Sequence, residues 1–395
     1  METDRKTIER LYNELSPSLK AMVDKSVNSI VSVKEKGGKV VVVTGSGPNL
    51  HEGVTTLIAE LVHKGVIDGI TSSSAVVAHE MAGVLDMVKR VDGKKLGFTK
   101  EKLPRGDIFE ISNMTADLLQ EIQKEMIVDT DLIEKGLSLA GDMIIKAAGN
   151  MAYPMGLRTE NLAKEIMLIS KSRGLPFEVV AGAGADERTM LGAAKKRNIP
   201  CLVSVPQLIG GGMVGIALAD SISIMERTSQ IAEMLGNADV IIESAVALTQ
   251  EIHDGPFETY TGHGIWADWE GYATYSLENK TLIRIDLDPN LKKACDFENE
   301  SSTVQQAIDE GMPKTKLMGI PFRMEMSGFA RLEKSIPVIG DIGNIWPIMA
   351  YLIEQKLGLK LDFMSYPQQS PQGQEMRNWI VENIRPIEKE KLFFN

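Results

Sequence analysis

Seven short runs of valine, isoleucine and leucine punctuate this chain, and none alternates cleanly with polar residues. They are 39–44 (KVVVVT), 66–71 (VIDGIT), 177–181 (FEVVA), 199–205 (IPCLVSV), 239–244 (DVIIES), 281–286 (TLIRID) and 336–340 (IPVIG). A strand with one solvated face has to alternate, whereas a strand covered on both faces does not. Segments with helical apolar spacing separate the runs, at 52–64, 74–90, 157–173, 187–197, 221–236 and 344–357. That rhythm predicts an α/β fold built on a doubly wound, mostly parallel, Rossmann-like sheet. The core is expected over 37–91 and 159–345, after two N-terminal helices in 1–36. Residues 92–158 are charged and poor in strand signals, and read as a helical and loop insertion or cap. Residues 346–395 read as C-terminal helices and an arm.

Composition narrows the function classes. The 395 residues carry 43 basic and 54 acidic side chains, a net charge of −11, with no dense basic cluster. Nucleic acid is therefore not an expected partner. Two cysteines, Cys201 and Cys295, make no disulfide framework, and Cys201 reads as a small buried hydrophobe in an apolar run. The N-terminus is charged and helix-like, and no run approaches the roughly 20 apolar residues of a membrane span. A cytoplasmic protein without membrane attachment is expected.

In such sheets ligands bind beyond the carboxyl ends of the strands, so the loops there carry the candidates. The first, TGSGPNLHEG, offers Gly45, Ser46, Gly47 and Asn49, then His51 and Glu52. Its glycines match only half of a G-x-G-x-x-G fingerprint, because position 50 is leucine. They could bring a phosphate to the backbone N–H groups of the next helix, or simply make a tight turn. The second, TSSSAVVAHE, offers Ser73 as a helix cap, with His79 and Glu80 two turns later. Adjacent helical side chains point about 100° apart, so one of that pair is expected to face the cleft.

Farther along, VVAGAGADERT reads as a strand ending in Gly182 and Gly184, followed by Asp186. Ser244 ends the 239–244 run. The glycine triplet at 210–212 permits close approach of a ligand or a neighbouring subunit. The 251–272 connection, with His253, Asp254, His263, Trp266, Asp268 and Trp269, reads as a substrate lid or subunit contact. It lacks recognised zinc spacing, and no metal is expected. Asp286 and Asp288 close the 281–286 strand. An acidic residue at a strand end can accept hydrogen bonds from adenosine ribose hydroxyls, which makes IRIDLDP the most specific nucleotide signal in the chain.

Together these motifs resemble the deoxyhypusine-synthase-like NAD/FAD-binding superfamily. IRIDLDP is similar to its IDIDP element. GPNLHEGVTTLIAELVHKGVIDGITSSSAVVAHE resembles the archaeal-type ornithine cyclodeaminase (LOR/SDH domain) family and, more distantly, deoxyhypusine synthase. The cyclodeaminase resemblance covers roughly 38–90 and 177–310. It implies a bound NAD, with NADP left open, that is reduced and reoxidised within one turnover while a small amine or amino acid passes through an imine. It also implies catalytic roles near His51, Glu52, His79 and Glu80. Cofactor contacts would come from Gly45, Ser46, Gly47, Asn49, Ser73, Gly182, Gly184, Asp186, Ser244, Asp286 and Asp288. No element matches the one that bears deoxyhypusine synthase's nucleophilic lysine. An aminoalkyl transferase of the deoxyhypusine or homospermidine kind, or a non-catalytic nucleotide-binding protein, are the alternatives. Related proteins place sites at subunit contacts, so a homo-oligomer is expected.

Overall fold

The computed structural model describes residues 3–45, 47–104, 106–149, 151–208, 210–245, 275–312, 317–320, 329–330 and 332–393. Its centre is a six-stranded parallel sheet of β1 (Val40–Thr44), β2 (Gly69–Ser72), β6 (Cys201–Val203), β7 (Val240–Ser244), β8 (Thr281–Asp286) and β9 (Ser335–Ile339). The order across the sheet is β6-β2-β1-β7-β8-β9, and every neighbouring pair is parallel. Three strands step outward from β1 in one direction and three from β7 in the other, the arrangement of a doubly wound fold.

The sequence pattern of these strands has a direct cause. Val40 and Val42 enter one hydrophobic core and Val41 and Val43 the other, and all four are at most 1% exposed. The first core includes α2 (Pro17–Glu35), α4 (Val54–His63), α10 (Met190–Arg197) and α15 (Ile342–Leu357); the second includes α12 (Ile224–Gly236) and α13 (Asn290–Glu300). With both faces covered by apolar side chains, polar alternation would leave unpaired groups in a core. The N-terminal helices are α1 (Arg5–Glu14) and α2, the first capped by Asp4 and the second by Ser16 with Pro17 behind it. Among the described residues, no helix is long and apolar enough to cross a membrane.

Three expectations need correction. Residues 177–181 form no strand; they open helix α9 (Phe177–Gly184). Pro176 starts that helix, and buried Glu178 ties it inward, accepting from Val203 N at 2.6 Å and pairing with buried Arg227. The helix expected over 74–90 stops at Met81, as α5 (Ser74–Met81), because Gly83 and Val84 turn the chain at positive φ. Strand β3 (Leu85–Asp92) follows. Its buried positions, Leu85, Val88 and Val91, recur every third residue and mimic a helix, but they serve two opposite faces of a strand.

The insertion, expected as helix and loop, is built on a second sheet. β3 lies between β4 (Ile108–Ser112) and β5 (Gly141–Ala147), antiparallel to both. Helix α7 (Thr130–Ser138) supplies Ile133 to a small core with Val91 and Ile111 on one face. The opposite face carries Asp86, Arg90, Glu110, Ser112 and Lys146. Helices α3 (Gly47–His51) and α16 (Pro371–Asn383) pack against this sheet, which sets it beside the carboxyl end of β1.

Candidate active site

The strand order reverses between β1 and β7, the place at the carboxyl ends where a doubly wound sheet holds its ligand crevice. Thr44, Ser72, Ser244 and Asp286 end β1, β2, β7 and β8 around it. Helix α3 begins almost at once after β1. Among the described residues, none outside the glycine's own turn comes within 4 Å of where a Cβ on Gly47 would be. Ser46 lies outside the described residues, as does the 251–272 connection with its two histidines and two tryptophans. Asn49 and Ser244 brace the loop. Trp346 Nε1 donates to Ser244 Oγ at 2.8 Å, Ser244 Oγ donates to Asn49 Oδ1 at 2.7 Å, and Asn49 Nδ2 donates to the Gly45 carbonyl. Among the described residues, the buried hydroxyls of Thr44 and Ser72 have no hydrogen-bond partner.

Beside this crevice sit His51, from α3, and His79, from α5. His79 Nδ1 lies 2.7 Å from the Ala148 carbonyl. A carbonyl only accepts, so Nδ1 carries the proton and Nε2 of the neutral ring is the base. His51 Nδ1 lies 3.5 Å from Arg377 Nη2 on α16. A guanidinium only donates, which assigns the neutral ring the opposite tautomer, with its proton on Nε2. Burial lowers the pKa of both rings, helped at His51 by Arg377, His79 and Lys146, and at His79 by Lys146. Both are therefore neutral at pH 7, one presenting a bare nitrogen and the other an N–H.

The polar face of the second sheet completes the surroundings. Asp86 and Lys146 stand opposite each other on β3 and β5. Ser112 Oγ donates to Asp86, and burial pushes the Asp86 carboxyl up to about 6 against that hydrogen bond and the Lys146 charge. Lys146 Nζ is 2.6 Å from Glu110 Oε2, and Arg90 Nε is 3.1 Å from Glu110 Oε1. Sequence reasoning missed Ser112, Lys146 and Arg377, which lie in the supposed insertion and arm, and Asp86, which lies in the segment expected to be helix over 74–90. One signal was available: Lys146 is a lone charge inside the apolar stretch MIIKAA.

The other expected site residues make contacts with the protein's own groups. Glu80 does not enter the cleft. It is fully buried and accepts from Met190 N at 2.9 Å and Leu191 N at 3.0 Å, which caps helix α10. Glu52 turns toward the loop before α16, where its carboxylate accepts from Gln368 N at 2.7 Å, and burial raises its pKa. Gly182 and Gly184 are helical contacts rather than strand ends. A Cβ on Gly182 would stand 2.7 Å from the Leu191 carbonyl, and one on Gly184 2.7 Å from the Glu388 carbonyl. Asp186 is occupied by Arg188, at 2.7 Å, and by Arg385 N, at 3.0 Å, and these hydrogen bonds outweigh burial to lower its pKa. Ser73 caps α5 by accepting from Val76 N. Asp286 Oδ1 accepts from Asp288 N at 3.0 Å, and Asp288 Oδ1 accepts from Asn290 N at the start of α13. Gly211 answers to its own chain, since a Cβ there would meet the Ser74 carbonyl at 2.6 Å. Cys201 is buried and burial holds its thiol well above the usual range, in keeping with a core residue.

No family model matches this chain. No curated protein matches it either. Among solved structures it is similar to ArgZ, an arginine dihydrolase from the ornithine-ammonia cycle in cyanobacteria, at 13% identity and a TM-score of 0.42. That match covers 86% of this chain and 32% of the other. A conserved LOR/SDH protein from Methanococcus maripaludis S2 gives 14% identity and a TM-score of 0.42, over 87% of this chain and 71% of that one. AgrE, in its ternary complex with ornithine and NAD+, gives 11% identity and a TM-score of 0.37, over 91% and 34%. The chain thus spans about a third of the length of ArgZ and AgrE.

Proposed function

We propose that this chain is an NAD-dependent enzyme that acts on a small amine or amino acid through transient oxidation to an imine. The observation that carries the reading is a pair of neutral histidines of complementary tautomer beside the strand ends where the order of a doubly wound sheet reverses. The residues suit the cofactor. Gly47 leaves room over the first turn after β1, and the buried Thr44 and Ser72 hydroxyls have hydrogen bonds to give at the strand ends. Asp286 ends the second strand of the second half of the sheet, the position where a carboxylate meets ribose hydroxyls, and its charge would repel a 2′-phosphate, favouring NAD over NADP.

NAD, when bound, would accept a hydride from the carbon bearing the amine and later return it, so that nitrogen can leave or be exchanged without net oxidation. The chain's own part is to bind, orient and move protons. His79 Nε2 takes the amine proton, since only a neutral amine gives up that hydride readily. His51 Nε2–H supplies a proton to departing nitrogen. The Asp86 carboxylate, ionised above about pH 6, holds the incoming ammonium.

Mass spectrometry of the small molecules released from the denatured protein, with titration of NADH by fluorescence, tests the cofactor. Screening amines for turnover at saturating NAD tests the chemistry. His79→Ala is expected to lower turnover by roughly 10²–10⁴-fold and leave NADH affinity unchanged. A protein that neither carries nor binds a dinucleotide sinks the proposal.

A further inference from the structure

Among the described residues, Arg377 stands apart from the other arginines held inside this protein. Arg158 sits 2.7 Å from Glu125, Arg227 pairs with Glu178, and Arg284 lies 3.6 Å from Glu243. Arg377 is also partly buried, enough to lower its pKa, yet among the described residues no carboxylate comes within 4.0 Å of it. Glu52 is near enough to favour the charged guanidinium but is held elsewhere, by Gln368 N. The guanidinium's bonds are one to the Ile145 carbonyl and the 3.5 Å contact with His51, and its buried Nε has no partner. Withdrawing a cation from water without a counter-ion costs several kcal/mol in effective terms, so folded proteins pair such groups. Here the pair is missing, while Lys146 close by is already matched by Glu110.

We propose that Arg377, delivered by the C-terminal helix α16, is the anchor for a carboxylate of the ligand, so that the site takes amines that carry a carboxylate and rejects bare polyamines. This rests on the reading of the cleft as an amine-binding active site. The Ile145 carbonyl fixes one edge of the guanidinium from strand β5, the strand that also carries Lys146. A guanidinium so oriented presents a planar fork to a planar carboxylate. A carboxylate seated there would supply the counter-ion that the chain withholds. A dicationic polyamine would meet the Arg377 guanidinium at that end, and two like charges in a partly buried site repel. The amine end would then lie toward His79 and Asp86. The C-terminal helix is on this view part of the active site rather than a packing arm.

Calorimetric binding to the NAD-supplemented full chain tests this. The probes are L-ornithine, L-lysine and L-arginine, each against its decarboxylated amine: putrescine, cadaverine and agmatine. At least one amino acid is expected to bind tenfold or more tightly than its decarboxylated partner. Arg377→Gln should lose at least tenfold for that amino acid and leave the bare amine unchanged, while Arg377→Lys keeps part of the preference. If the wild-type protein shows no carboxylate preference in any pair, or Arg377→Gln keeps it, the proposal is overturned. The wild-type comparison decides even if the variant does not fold. NADH fluorescence on the same samples separates the two readings. A carboxylate preference that depends on Arg377, without dinucleotide binding, upholds the anchor and removes the cofactor. Dinucleotide binding without that preference does the reverse.

Discussion

At the scale of single residues, the pair His79-Glu80 shows how neighbours in sequence part company. A helix separates adjacent side chains by about 100°, and here the histidine borders the cleft while the glutamate closes the N-terminus of another helix. Glu80 satisfies two N–H groups of α10 that have no partner inside that helix. Glu80→Ala should cost about 1–3 kcal/mol by leaving these donors buried and unmet. Burial also raises the Glu80 carboxyl from 4.5 to about 7 in the folded protein. The folded state then holds this proton more tightly than the unfolded chain, so its contribution is whole below about pH 4.5 and is lost as pH rises to about 7. Urea unfolding at pH 5, 6 and 7 checks both points: the variant should be less stable and should lack this component of the pH dependence. Equal midpoints for the two proteins across the series would rule out the capping role.

At the scale of elements, the corrected segments share a cause. β3 carries buried residues at every third position, which in isolation is a helical signature. It becomes a strand because Gly83 and Val84 break α5 and because β4 and β5 supply hydrogen-bonding partners on both sides. The run FEVVA has strand-forming residues but becomes a helix, in which Glu178 accepts from Val203 N and pairs with buried Arg227. Local propensity is weak enough for such contacts to override it. The glycines that follow are then read differently, as the places where α9 touches α10 and the C-terminal segment. Gly182→Ala should destabilise the fold by about 1–3 kcal/mol through overpacking and leave NADH affinity unaltered. A thermal melt with a parallel fluorescence titration checks this, and a weakened NADH affinity at unchanged stability would restore the glycine to the cofactor site.

At the scale of the whole molecule, the site is assembled from four distant parts of the chain: the loop after β1, helix α5, the polar face of the second sheet and helix α16. A ligand that bridges such parts stabilises the folded state by mass action. NAD at 100 times its dissociation constant should add about 2.7 kcal/mol to unfolding, and Asp286→Ala should remove most of that gain. Urea midpoints with and without NAD measure it, and no shift at saturating NAD contradicts the proposed cofactor. The parallel sheet was legible in the sequence, because strands covered on both faces must be apolar throughout, and six of the seven apolar runs became its strands. His51, His79 and Asp286 were legible as candidates because each follows or ends such a strand. Nothing local marked Asp86 or Arg377, and only its isolation in an apolar stretch marked Lys146; their importance depends on which charges stand near them after folding. The sequence by itself determined where the hydrophobic layers lie, since burial is written residue by residue in side-chain chemistry. Only the tertiary structure decided which polar groups are spent on caps and which are left for a ligand, because a hydrogen bond or an ion pair has no meaning until its partner is in place.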